Sequence, residues 1–358
     1  MRKQLRTLLC ALCLMLSVAL LVSGCSPDQS VEQEQAGEGK GRPQEIPIHP
    51  EAGWVTGDIA ANGDTAFYLL AKEEPMAQDM RAAKLCTYDL ESGEEEVVYE
   101  YTNDDGFYLN ELEAVADCVF WVRTEGVQRA VERLDLATGD VQVIEQYGEG
   151  ESDILLQSDG KYLTWYRLAD GTASIRGYEI AKETLFDVAK EVSVAFPFIR
   201  ANVIDGICAY AVDQGEETTI QVYDLAAKKL LQEIPVEKGA ALFNITADRE
   251  RCLYSFLREG VMDQRIFVYD YADGKETVVN EDESLYVFSW SYADGKLFLN
   301  ERNANAIMVE TLETGVTETL LNEQEHLYVL GSTTPDGSYL VLDAVNDAAP
   351  ILTLIRVQ

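Results

Sequence analysis

An all-β fold, a seven-bladed β-propeller, is predicted by three observations: one strand-and-turn element occurs seven times, a second occurs seven times upstream of it, and almost no stretch has helical periodicity. The first element reads LCTYDLESGE from Leu85, VERLDLATGD from Val131, IRGYEIAKET from Ile175, IQVYDLAAKK from Ile220, IFVYDYADGK from Ile266 and IMVETLETGV from Ile307, and ends as ILTLIRVQ at Gln358. Aligning Asp89, Asp135, Glu179, Asp224, Asp270, Thr311 and Ile355 gives steps of 46, 44, 45, 46, 41 and 44 residues. That is the length of a four-stranded blade. In each copy a strand meets a turn such as ESGE, ATGD or ADGK, where glycine supplies the positive φ of a tight hairpin.

The second element reads NGDTAFYLL from Asn62, ADCVFWVRT from Ala116, DGKYLTWYR from Asp159, DGICAYAV from Asp205, DRERCLYSF from Asp248, DGKLFLNE from Asp294 and DGSYLVLD from Asp336. An Asp-Gly turn or its equivalent launches the second strand of each blade. An innermost strand precedes it, as in Phe196–Ile204 or Leu285–Tyr292. The last copy stops after three strands, so the seventh blade needs an outer strand from elsewhere. Glu45–His49 is the unassigned strand, apolar at Ile46 and Ile48, and is expected to close the ring beside Ile351–Val357. Pro47 lacks a ladder donor and confines this strand to an edge.

Residues 1–24 have the layout of a signal peptide: Arg2, Lys3 and Arg6 precede an uncharged run from Thr7 to Val22, too short to span a bilayer comfortably. The closing Val22, Ser23, Gly24 and Cys25 resemble the lipobox of bacterial lipoproteins. The resemblance implies a diacylglyceryl lipid on the Cys25 thiol, with palmitate-type chains, and cleavage before that residue. Two or more chains hold a protein stably at a membrane. Residues 25–43 then form a flexible acidic linker, poor in apolar side chains beyond Val31, and 44–358 form the propeller. Gly37, Gly39 and Gly41 lack the flanking strand and helix of a phosphate loop. The expected location is the cell membrane, lipid-anchored and facing outside the cytoplasm.

The repeats resemble those of TolB-like bacterial propellers, in which an Asp-Gly turn precedes an aliphatic strand and a Tyr-Asp-Leu strand leads to a glycine turn. The likeness runs from about Gln44 to Gln358, best at TTPDGSYLVL from Thr333 and poorest at VADCVFWV from Val115. The dipeptides of the WD-repeat class are absent. Such propellers include interaction platforms, assembly factors and some enzymes, so the resemblance implies the architecture more than the activity.

Net charge is −35, and removing residues 1–24, with three basic and no acidic side chains, makes it −38. A field of that sign repels nucleic acid and anionic headgroups and favours a soluble monomer. Cys10 and Cys13 leave with the signal and Cys25 carries lipid; Cys86, Cys118, Cys208 and Cys252 sit singly in apolar runs and are expected as buried thiols. Only His49 and His326 remain after cleavage, and no HExxH, GxSxG or paired CxxC motif occurs. Glu323, Glu325 and His326 are the one acid-histidine cluster, at the junction of the sixth and seventh blades, with the residue types of a metal site but explained as well by a surface loop with scattered charge. Asn103 to Gly106 fails the EF-hand pattern, with Tyr101 at the first position and Leu112 at the last. No cofactor or metal is expected.

Ligands of propellers meet the innermost strands. Polar and aromatic residues there are the candidate binding set: Trp54, Asp58, Tyr108, Asn110, Arg200, Asn202, Phe243, Asn244, Tyr286, Trp290 and Tyr328. Aromatic side chains here either stack on a peptide or sugar or fill space between blades. Arg200 either pairs with Asp58, Glu111 or Glu113 or reads an anionic ligand. The expectation is a non-enzymatic platform for an exported protein, peptide or glycan; the alternative is a hydrolase or lyase using channel carboxylates and Arg200.

Overall fold

A computed structural model describes residues 45–47, 51–72, 80–148, 155–169, 172–192, 201–213, 217–236, 241–258, 261–322, 328–333, 339–344 and 351–356. All belong to one unit, Arg42–Gln358. Its strands are β1 (Glu45–Pro47), β2 (Trp54–Asn62), β3 (Thr65–Lys72), β4 (Met80–Asp89), β5 (Glu95–Val115), β6 (Cys118–Glu125), β7 (Gln128–Asp135), β8 (Val141–Tyr147), β9 (Gln157–Ser158) and β10 (Tyr162–Ala169). There follow β11 (Thr172–Glu179), β12 (Thr184–Val192), β13 (Asn202–Ile204), β14 (Ile207–Asp213), β15 (Thr218–Asp224), β16 (Lys229–Val236), β17 (Ala241–Ala247), β18 (Arg251–Arg258) and β19 (Val261–Met262). The last are β20 (Ile266–Asp270), β21 (Glu276–Val279), β22 (Val287–Ala293), β23 (Lys296–Glu301), β24 (Ala306–Thr311), β25 (Val316–Asn322), β26 (Tyr328–Thr333), β27 (Tyr339–Ala344) and β28 (Ile351–Arg356). One 3-10 turn, Ile180–Lys182, is the only helical element among the described residues.

Consecutive strands pair antiparallel into separate sheets: β9 to β12, β13 to β16, β17 to β21 and β22 to β25. A seven-stranded sheet runs from β2 to β8 and changes partner along β5, whose Glu95–Phe107 part pairs with β4 and whose Tyr108–Val115 part pairs with β6. In the remaining sheet β26, β27 and β28 are joined at the edge by β1, with Glu45 opposite Ile355 and Pro47 opposite Thr353. The N-terminal strand therefore pairs where the sequence placed it.

The central strands show why their sequences read as nearly unbroken apolar runs. In β6, Val119 and Trp121 pack with Phe67, Leu69 and Leu85 of the preceding strands, while Phe120 and Val122 pack with Leu163 and Trp165 of the following sheet. Alternate side chains thus enter different cores, and both faces are dry. The outer strands are exposed along most of their length, as in β8 and β25. Cys86, Cys118, Cys208 and Cys252 are buried free thiols, as expected. Burial pushes the Cys86 thiol up to about 11 and raises Cys208 and Cys252 further, which keeps them un-ionised.

Two turn types explain the paired repeats. The residue after the recurrent acidic position donates its N–H back to the turn before the second strand: Leu90 to Asp64 O at 2.8 Å, Leu136 to Asp117 O at 2.9 Å, Leu225 to Gly206 O at 2.9 Å and Tyr271 to Glu250 O at 2.9 Å. The acidic side chain caps its own turn, as when Asp135 Oδ1 accepts Ala137 N and Thr138 N, each at 3.0 Å. Each element therefore supplies what the other needs. Gly93, Gly139, Gly274 and Gly315 take φ of 74°, 77°, 67° and 65° at the hairpin position.

Candidate functional site

Among the described residues, antiparallel order puts the Asp-Gly turns and the outer hairpins at one end of a sheet, and the first residues of its innermost strand at the other. These open ends share a deviation. Register shifts fall between Thr56 and Ile59, Asn110 and Glu113, Leu242 and Asn244, Val287 and Ser289, and Leu330 and Ser332. Five inner strands are bulged at matching positions, and a bulge re-aims the side chains it carries. The residues inserted at these shifts are Gly57 and Asp58, Glu111 and Leu112, Phe243, Phe288, and Gly331.

The candidate residues divide sharply in this frame. Tyr108 is 47% exposed, Phe243 42%, Tyr286 39% and Phe288 38%, large fractions for aromatic side chains on inner strands or, for Tyr286, just before one. Trp290 is only 4% exposed; its indole N–H donates to Ser255 Oγ at 3.0 Å inside the core shared with the preceding sheet. It is a packing residue. Asn202 Nδ2 donates to Ile245 O at 2.5 Å, and Asn244 Nδ2 donates to Trp290 O at 3.2 Å. Each asparagine joins its inner strand to the next. Asp58 is exposed, and its carboxylate accepts the Glu111 N–H. Asn110 is half-buried, as is Trp54, over whose ring Lys84 Nζ lies at 4.6 Å.

Tyr328 opens β26, and its side chain lies outside the described residues, as do Cys25, Arg200, His49, Glu323, Glu325 and His326 entirely. Asn103 to Gly106 is not a free turn but part of β5, where Asn103 Nδ2 donates to Glu125 Oε1 at 2.8 Å. The Tyr101 hydroxyl, then Asn103 and Arg123, hold Glu125 below the usual carboxylate range. Among the described residues no group of three or more Asp, Glu, His or Cys side chains is arranged to hold a metal ion.

Phe288, Glu301 and Arg302 escaped the sequence reading. The Glu301 carboxylate accepts Tyr286 N at 3.0 Å, Asn303 N at 3.1 Å and Ala304 N at 2.6 Å, so a buried acid fixes the turn after β23 against the start of β22. Arg302 N donates to Tyr286 O at 2.9 Å, and its guanidinium lies 5.2 Å above the Phe288 ring. One sequence signal was present: Phe288 follows Phe243 by 45 residues, the repeat spacing.

No family model and no curated protein sequence matches the chain. Solved structures share its fold. It is similar to the β-propeller domain of the trilobed protease from Pyrococcus furiosus, at 12% identity and TM-score 0.59, covering 85% of this chain and 93% of that one. An oligogalacturonate lyase in complex with manganese matches at 12% identity and TM-score 0.52, covering 89% and 99%. A prolyl endopeptidase matches at 16% identity and TM-score 0.58, covering 82% of this chain and 46% of that chain, so the sequence spans about half its length. Together with the separate sheets, these likenesses show the β-propeller fold.

Proposed function

We propose that the chain is a membrane-anchored lipoprotein, held through Cys25 outside the cytoplasm, whose seven-bladed TolB-like propeller is a binding platform for an exported protein or peptide. The seven-blade count takes β5 as the outer strand of one blade and the inner strand of the next. Ring closure by β1 is supported by its pairing with β28 and by contact of β2 with β27 and β28.

The observation that carries the binding reading is the exposure of Tyr108, Phe243, Tyr286 and Phe288 at the open ends of inner strands, beside bulges. Such rings are otherwise drawn into cores, and exposed aromatics mark contact surfaces. A photo-crosslinking residue at position 286 in intact cells tests it. A discrete adduct lost in a Phe243→Ala, Phe288→Ala variant is expected; uniform low labelling would refute the platform. Anchoring is tested by Cys25→Ala, which abolishes labelling by a palmitate analogue and shifts the protein out of the membrane fraction.

The rival reading is a propeller hydrolase or lyase using channel carboxylates and Arg200. The peptidases and the lyase among the fold neighbours motivate it. Turnover of a peptide or acidic oligosaccharide that vanishes on Arg200→Ala would favour it.

A further inference from the structure

Phe243 and Phe288 are the unpaired residues of equivalent bulges on β17 and β22. These strands are neighbours, joined by Asn244 Nδ2 donating to Trp290 O at 3.2 Å. Tyr286, two residues before Phe288, is exposed as they are, so the ends of these neighbouring strands present aromatic side chains to solvent, whereas Trp290 is buried. Acidic side chains lie close by in sequence: Glu281, Asp282 and Glu283, all exposed, sit in the turn before β22, with Glu283 3.8 Å from Arg265.

We propose that this surface binds an arginine-bearing cationic peptide segment. The inference rests on the platform reading and names its partner chemistry. Aromatic ring faces are electronegative, and guanidinium groups stack on them. The chain already shows the pairing, because Arg302 occupies a face of Phe288 at 5.2 Å. A chain of net charge −35 steers cations inward and repels acidic ligands. A neutral glycan would need convergent hydrogen-bonding groups beside the rings, yet Asn202, Asn244 and Glu301 spend theirs on internal bonds.

The test uses full-length lipoprotein in phosphatidylcholine nanodiscs and a fluorescein-labelled (Arg-Gly)4 peptide read by anisotropy, with (Glu-Gly)4 and neutral oligosaccharides in parallel. The arginine peptide is expected to bind, to weaken as salt rises, and to lose about tenfold or more in affinity in the Phe243→Leu, Phe288→Leu variant, which keeps apolar bulk but removes the rings. Val316→Ala, on an outer strand, is expected to bind as wild type. Binding unchanged in the leucine variant would reduce the effect to diffuse charge and overturn the proposal. So would absence of binding, or preference for a neutral oligosaccharide. A crosslink from position 286 that persists while (Arg-Gly)4 fails to bind overturns the cationic partner and leaves the platform standing; loss of both removes the platform too.

Discussion

The two ends of the inner strands spend their polar groups differently. At the turn end, Asp159 accepts Lys161 N at 2.9 Å and Tyr162 N at 2.8 Å with one oxygen and Gly206 N of the next sheet at 2.6 Å with the other. Asp248 repeats the device: it caps Glu250 and Arg251 and accepts the Tyr292 hydroxyl. Asn62 Nδ2 reaches Ala116 O of the following repeat at 2.9 Å. The open end has inter-strand ties of its own, yet it keeps aromatic rings in solvent. Where acceptors are consumed between sheets, the chemistry serves cohesion; where bulges leave rings exposed, it is free for another molecule.

Substitutions break this contrast in graded steps. Trp290→Ala lies beneath the open end but belongs to the core, so it should cost about 3–5 kcal/mol in denaturant unfolding. A loss below about 1 kcal/mol would show that Trp290 is a surface residue in solution. Asp159→Ala leaves three N–H groups without their acceptor and is expected to cost about 2 kcal/mol, without altering peptide binding.

Acidification probes the turn end as a whole. Backbone N–H donation from Ala227, then Arg249, holds Asp224 below the usual carboxylate range, and a backbone bond from Thr138 does the same for Asp135. A depressed folded-state pKa contributes stability that is complete above the unfolded value near about 4 and is lost as pH falls through the folded value. Unfolding midpoints should therefore hold steady at neutral pH and fall below about pH 4, with Arg249→Ala reducing the acid-dependent part. A midpoint indifferent to pH in that range would deny the capping role.

Ala116 takes φ of 48° in the turn where other copies place Asp-Gly. Ala116→Gly should raise stability by about 0.5–1 kcal/mol by relieving a left-handed non-glycine residue. The smallest effect belongs to Phe288→Ala, expected within about 0.5 kcal/mol in stability despite its loss of binding. Destabilisation comparable to Trp290→Ala would assign Phe288 to the core and erase the contrast.

Much of this was legible in one dimension. Strand positions followed from apolar runs punctuated by Asp-Gly and glycine turns, because those dipeptides dictate local backbone geometry. The pairing of Glu45–Pro47 with Ile351–Arg356 followed from counting strands in the last repeat. Which aromatic side chains stay exposed was legible only in part. Tyr108, Phe243 and Tyr286, read as aromatic residues of inner strands, are exposed, whereas Trp290, read the same way, is buried, and nothing in residue type separates a ring in solvent from one in a core.

By itself, then, the sequence determined the repeat length, the all-β character and the turns that join the strands, because strand patterning and turn dipeptides act over a few residues. Only the tertiary structure decided which side chains stay exposed. A bulge shifts the pleat by one residue, and that phase, set by the partner strand, sends Phe243 and Phe288 to solvent and Trp290 inward.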